Sequence, residues 1–203
     1  MKKAFTLIEM LVVIGIIVIL MGASVGAYSK MSKSADRVRG QEIVANTATA
    51  LATLFTKEGV WPKVLRDNGA TDGRLDAKAA YPLAKGEYMA LSFDKDKNKL
   101  TGLDRFGIVT PWAAAHIKSR GDSASLGDKI GQSSLQEHIL HYALDLDGDG
   151  IISGANVGGE TINVRATAIV WSVGPSGKIE AYSKGIMHDG IYSWTKGQTN
   201  SVK

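Results

Sequence analysis

The 203-residue chain contains no cysteine. That excludes a disulfide framework, cysteine-based zinc sites and thiol catalysis, so stability outside a reducing compartment must come from packing, ion pairing or hard metal ions. Net charge is also missing from most of the molecule. Residues 41–203 carry 18 basic and 18 acidic side chains, and the whole formal excess of +4 sits in residues 1–40. The pI of about 9.2 is therefore no sign of a nucleic-acid surface. No proline precedes Pro62, which leaves the positions before it free to form one long helix. A Gly-x-Ser-x-Gly elbow, paired catalytic acids and a His-Glu zinc motif are absent too, so no enzyme is expected. Gly174-Pro175-Ser176-Gly177-Lys178 lacks the spacing of a phosphate loop and reads as a hairpin turn.

Charge is absent again from the apolar run between Glu9 and Lys30. A helix over residues 5–28 would be ~36 Å long at ~1.5 Å per residue, enough to cross a hydrocarbon core of about 30 Å with some tilt. Glu9 stands at the front edge of this run. A carboxylate inside a membrane helix costs ~2.5–3.5 kcal/mol on insertion scales, so it marks a pairing with a cation. Lys2 and Lys3 on one side face Lys30, Lys33, Arg37 and Arg39 on the other. Counting positive charges therefore does not set the orientation.

The stretch Lys2-Lys3-Ala4-Phe5-Thr6-Leu7-Ile8-Glu9-Met10-Leu11-Val12-Val13-Ile14 resembles the prepilin leader and methylation motif of type IV pilins and type II secretion pseudopilins. The resemblance implies cleavage between Ala4 and Phe5 by a membrane-embedded aspartyl prepilin peptidase, with methylation of the new Phe5 amine. Ala4 stands where the family usually has Gly. The Phe5 ammonium would give Glu9 its partner, within one chain or on a neighbouring subunit. The resemblance further implies a single-pass inner-membrane protein with a cytoplasmic N-terminus and a periplasmic C-terminal domain. Assembly would then use the inner-membrane machinery to build a homo-oligomeric filament with other pseudopilins.

Four segments follow: a leader at 1–4, a membrane or filament-core helix at 5–28, an amphipathic continuation at 29–58 and a globular domain at 59–203. Met31, Ala35 and Val38, then Val44, Ala48, Leu51 and Phe55, recur at helical spacing, and Gly59 is a stop signal. Gly15, Gly22 and Gly26 are points where this helix can pack closely, bend or melt. Residues 59–86 are rich in turn formers and read as a loop with a short helix near 76–80. A strand is expected at 87–93, followed by a solvated turn at 94–99 whose Lys99 replaces the glycine a calcium loop needs. Asp104, Gly107 and Trp112 lie in a stretch that resembles the Asp-Pro-Trp-Gly turn of the pseudopilin core, with Arg105 and Phe106 departing from it.

A flexible connection is expected at 121–131. Alternation of Leu140, Tyr142 and Leu144 predicts a strand over 137–144. Ile162, Val164, Ala166, Ala168 and Val170 predict one strand over 161–173, with Trp171 extending an exposed or edge face and residues 178–182 returning as its hairpin partner. The fold class is α+β: a long N-terminal helix, membrane-spanning in its first half, packed on a small antiparallel sheet in a pilin-like order.

Asp145-Leu146-Asp147-Gly148-Asp149-Gly150-Ile151 is the strongest local motif. Three carboxylates at alternate positions, a glycine for the sharp turn and the Ile151 carbonyl suit a hard, oxygen-seeking cation, with calcium the natural occupant. Asn156 replaces the twelfth-position glutamate of an EF-hand, so a further ligand is expected from Glu160 or Asp189. The plainer alternative is an Asp-Gly turn with its charges in water. Pseudopilins commonly carry calcium near the end of their sheet, and residues 170–178 with Ile191-Tyr192-Ser193-Trp194 resemble their closing segment. His138 and His141, three apart, would fall on opposite faces of a strand and read as ordinary histidines. Two other classes stay open: a secreted calcium-binding module cut after Val25-Gly26-Ala27 by ordinary signal peptidase, or an enzyme on a membrane anchor.

Overall fold

The computed structural model describes residues 7–113, 138–175, 190–195 and 198–200, with the side chains at 23–27, 29, 103 and 200 outside that description. Ala4, Phe5, the connection at 121–131, the return at 178–182 and Asp189 lie outside the described residues. The chain divides into two units, Met1–Val38 and Arg39–Lys203.

The first helix, α1, runs over Leu7–Glu58 without a break at Gly15 or Gly22. In the first unit, its described apolar side chains from Leu7 to Met21 are all exposed, from 48% at Ile17 to 82% at Leu7. A helix apolar all round needs lipid or other chains to cover it. Among the described residues no helix is long and apolar enough to cross a membrane.

In the second unit, α1 buries Val44, Thr47, Leu51 and Leu54. The spacing is the expected one, but the stripe is centred beside the expected one, with Ala48 and Phe55 on its flank. Thr47 can occupy the core because its hydroxyl donates back to the Ile43 carbonyl at 2.6 Å and lies 3.7 Å from the Met89 sulfur, so a local acceptor satisfies it inside the core. The helix stops at Gly59, whose φ of +72° suits a residue without Cβ. The Gly59 N–H donates to the Phe55 carbonyl at 2.8 Å.

Residues 59–86 are more ordered than a turn-rich loop. Helix α2 spans Lys63–Asn68 behind Pro62, strand β1 spans Gly73–Arg74, and α3 spans Ala77–Lys85. The Asp76 carboxylate caps α3 by accepting from the N–H groups of Lys78 and Ala79, a local signal that offsets Pro82 further along. The expected strand at 87–93 is instead a tight turn followed by a two-residue strand. Hairpin β2 (Phe93–Asp94) and β3 (Lys99–Leu100) turns where Asp94 accepts from the Asp96 and Lys97 N–H groups. A short 3-10 turn over Gly102–Phe106 follows.

The remaining strands are β4 (His141–Leu144), β5 (Ile152–Val157), β6 (Glu160–Val164), β7 (Ala168–Ser172), β8 (Ile191–Tyr192) and β9 (Thr199–Asn200). All pairings are antiparallel, and the sheets run β1-β4-β7-β8, β2-β3 and β5-β6-β9. The single strand expected at 161–173 is thus two strands in two sheets. The chain bends at 165–167, where Arg165 is exposed and the Thr167 carbonyl turns to accept the Asp145 N–H. Trp171 is 1% exposed, not on an open face, because Ile152 of β5, Val164 of β6 and Trp194 cluster over that face of β7, which is itself a central strand between β4 and β8. A strand buried on both faces loses its polar-apolar alternation.

Two apolar clusters form the interior. One joins Leu51 and Leu54 of α1 to Leu65, Leu83, Tyr142 and Val170. The other joins β5, β6 and the opposite face of β7 through Ile152, Val164, Ile169, Trp171 and Trp194. Leu140, Tyr142 and Leu144 fall together in the first cluster, as their alternation predicts.

Candidate functional site

At the N-terminal end, Glu9 lies exposed in the first turn of α1. A carboxylate there is favoured by the partial positive charge of the helix start. The residues expected to be cut and methylated, Ala4 and Phe5, precede the described helix.

The aspartate loop connects β4 to β5, so strands rather than helices flank it. Asp145 is 5% exposed and organises the turn. One of its carboxylate oxygens accepts the Gly148 N–H at 2.8 Å and the other accepts the Gly150 N–H at 2.8 Å. Gly148 and Gly150 have φ of +77° and +81°, a backbone region open to glycine at little cost. Asp149 accepts the Ile151 N–H at 2.7 Å. Asp147 and Asp149 are exposed.

The base of the loop is bolted to distant parts of the chain. The Trp61 indole N–H donates to the Asp145 carbonyl at 2.7 Å. The Asp145 N–H donates to the Thr167 carbonyl at 3.0 Å, and the Leu144 N–H to the Gly69 carbonyl at 2.8 Å. Trp61 in turn stacks on Phe55, with ring centroids 4.7 Å apart. Trp61 stands 84 residues from Asp145, and no periodicity or motif in the sequence links the two.

The donor set passes a simple geometric test for a hard cation. One carboxylate oxygen from each of Asp145, Asp147 and Asp149 lies within 4.8 Å of the others. Oxygens bound to one calcium at about 2.4 Å can be at most about 4.8 Å apart. Each Asp145 oxygen already takes one N–H, which leaves each a lone pair. Asn156, at the twelfth position, uses its side-chain oxygen to accept the Gly159 N–H at 3.0 Å. Glu160 opens β6 and is not among the clustered carboxylates.

His141 is buried on β4, stacked 5.6 Å from Trp171, with Nδ1 2.6 Å from the Asp72 carboxylate. His138 precedes the strand in a turn. The two histidines form no metal cluster among the described residues.

Residues 1–25 match the family model of the prokaryotic N-terminal methylation motif. That motif is the signature of prepilin-type proteins, the type IV pilins and pseudopilins, and it supports a pilin-like prepilin peptidase substrate. No curated protein and no solved structure matches the chain.

Proposed function

We propose that the chain is a structural, non-catalytic subunit of a pilus-like filament, most closely of the pseudopilus type used in type II secretion. The observation that carries this reading is the methylation motif at 1–25 leading into a helix whose described apolar side chains from Leu7 to Met21 are exposed on every side. Residues 5–28 would anchor the precursor in the inner membrane as a single pass, with residues 59–203 in the periplasm. On assembly the same helix would exchange lipid for the helices of neighbouring subunits. Glu9 pairs with the methylated Phe5 amine of a neighbour and so sets the register. Each subunit presents one surface to a different surface of the next, an arrangement that does not close and grows helically.

The lean toward a pseudopilus rests on the aspartate loop, the Ile191-Tyr192-Ser193-Trp194 end and the absence of a cysteine pair. Calcium would be held by the carboxylates of Asp145, Asp147 and Asp149 and the Ile151 carbonyl. Its chemistry there would be structural, offsetting the mutual repulsion of three carboxylates.

The deciding experiment is mass spectrometry of the mature N-terminus from the membrane fraction. The expected chain is four residues shorter than the 203 encoded and begins at N-methylated Phe5. A chain beginning at Tyr28 would overturn the filament reading in favour of a secreted module.

A further inference from the structure

On the surface of the second unit, α3, the β2–β3 hairpin and the 3-10 turn enclose an open depression of about 570 Å³. Its rim carries Lys78, Lys99 and Arg105, and no acidic side chain lines it. Val64, 40% exposed, contributes an apolar wall. The cations of this hairpin fall into two kinds. Lys95 and Lys97, outside the depression, are paired with Glu87 and Asp94 at 3.1 and 3.5 Å. Lys78, Lys99 and Arg105, inside it, take part in no ion pair among the described residues. The Arg105 guanidinium rests 4.6 Å from the centre of the Phe106 ring, which holds it in place without neutralising it.

Three unneutralised cations around an apolar wall fit an anionic ligand that also brings apolar surface. The chain itself carries such a segment. In the aspartate loop, Leu146 is 43% exposed between the buried Asp145 and the exposed Asp147. Asp147 and Asp149 take part in no ion pair among the described residues. In a domain whose basic and acidic side chains are equal in number, one surface with surplus positive charge and another with surplus negative charge are complementary.

We propose that this depression receives the Leu146-Asp147-Gly148-Asp149 loop of a second copy of the chain. Leu146 meets Val64, and the two exposed carboxylates meet Lys78, Lys99 and Arg105. The contact joins two different surfaces, so it is heterologous and repeats from copy to copy. It rests on the filament reading above and names one of the contacts that reading requires. Calcium held at the loop would offset part of the charge on Asp147 and Asp149, so it is expected to weaken this contact and a chelator to strengthen it.

The natural chain has no cysteine, so introduced thiols report this contact alone. The full-length chain with Val64→Cys and Leu146→Cys, assembled in its membrane and oxidised in the presence of a chelator, is expected to give a ladder of covalent multimers. Either single variant is expected to give none. Adding Lys99→Glu with Arg105→Glu should cut the ladder by about tenfold or more, since like charges face each other. Adding Asp147→Lys with Asp149→Lys to that chain should restore it, which separates a broken contact from a misfolded domain. Filaments without a ladder, a ladder indifferent to charge reversal, or dimers from Val64→Cys alone would each overturn the contact and leave the filament reading standing. A wild-type chain that is never cut before Phe5 and forms no filaments would instead remove the filament reading itself.

Discussion

The Trp61 indole N–H and the Asp145 main-chain carbonyl meet at 2.7 Å in the interior. That bond fastens the start of the aspartate loop to the segment just after α1, and the Phe55–Trp61 stack carries the link back onto the helix. Trp61→Phe keeps the aromatic stack and leaves the Asp145 carbonyl unpaired, a cost of about 1–3 kcal/mol. Chemical denaturation of the detergent-solubilised chain should show that loss, and Trp61→Ala should lose about 3–5 kcal/mol. A Trp61→Phe variant as stable as wild type would show that water replaces the indole there.

Calcium is expected to raise the thermal stability of the wild-type chain and to leave Asp147→Ala unaffected. A ligand that binds only the folded state at about 100 times its Kd adds roughly 2.7 kcal/mol. Equal shifts in the two proteins would remove the loop as the site.

Replacing Glu9 with Leu should leave membrane insertion intact, since it removes an insertion cost of ~2.5–3.5 kcal/mol. The same change should abolish filaments, because the Phe5 amine of the neighbour loses its counter-charge. Electron microscopy of sheared filaments and fractionation of membranes check the two halves separately. Normal filaments from Glu9→Leu would end the proposed role of that carboxylate.

Tyr142 gives the fold a weakness in alkali. Its hydroxyl donates to the Leu65 carbonyl at 3.0 Å, and burial, with a smaller contribution from the Asp76 charge, pushes its pKa well above the ordinary value of 10.0. The phenol thus stays protonated in the folded chain where the unfolded chain has begun to ionise. This contribution to stability is complete below pH 10.0 and declines as pH rises from there toward the folded-state value. Tyr142→Phe should flatten that decline in pH-dependent unfolding while costing about 1–3 kcal/mol at neutral pH, from the Leu65 carbonyl left unpaired.

Two glycines with positive φ should respond differently to alanine. Gly150 has φ +81° and open space where a methyl group would project. Gly150→Ala should therefore cost only the left-handed backbone penalty of about 1–2 kcal/mol. Gly107 has φ +112°, and a Cβ there would run into the Leu75 carbonyl oxygen and the Asp76 backbone. Gly107→Ala should lose more than Gly150→Ala, by roughly 1–3 kcal/mol of added strain. Equal losses in unfolding experiments would mean that the segment carrying Leu75 yields easily.

The signals that were legible in the sequence are local ones. Absence of proline before Pro62 and glycine at 59 set the extent of α1, whose last residue is Glu58. The alternation of Leu140, Tyr142 and Leu144 located β4 and its core-facing side. The spacing of Asp145, Asp147 and Asp149 placed three carboxylates within reach of one ion. Each depends on neighbours a few positions apart, where helix and strand periodicity or turn chemistry decides the outcome.

Tertiary structure decided what local pattern could not carry. Residues 161–173 read as one strand until the bend at 165–167 sends β6 and β7 to different sheets. Trp171 became an interior residue because side chains of β5, β6 and Trp194 close over that face of β7. Trp61 found the Asp145 carbonyl, and Lys78, Lys99 and Arg105 came to one depression, across separations that no periodicity spans. The amino-acid order by itself determined the N-terminal signal, the long helix and the acidic loop, since short-range sterics and hydropathy suffice for those. Which strands pair, which faces close and which charges gather depend on contacts between distant segments, and those exist only once the core has formed.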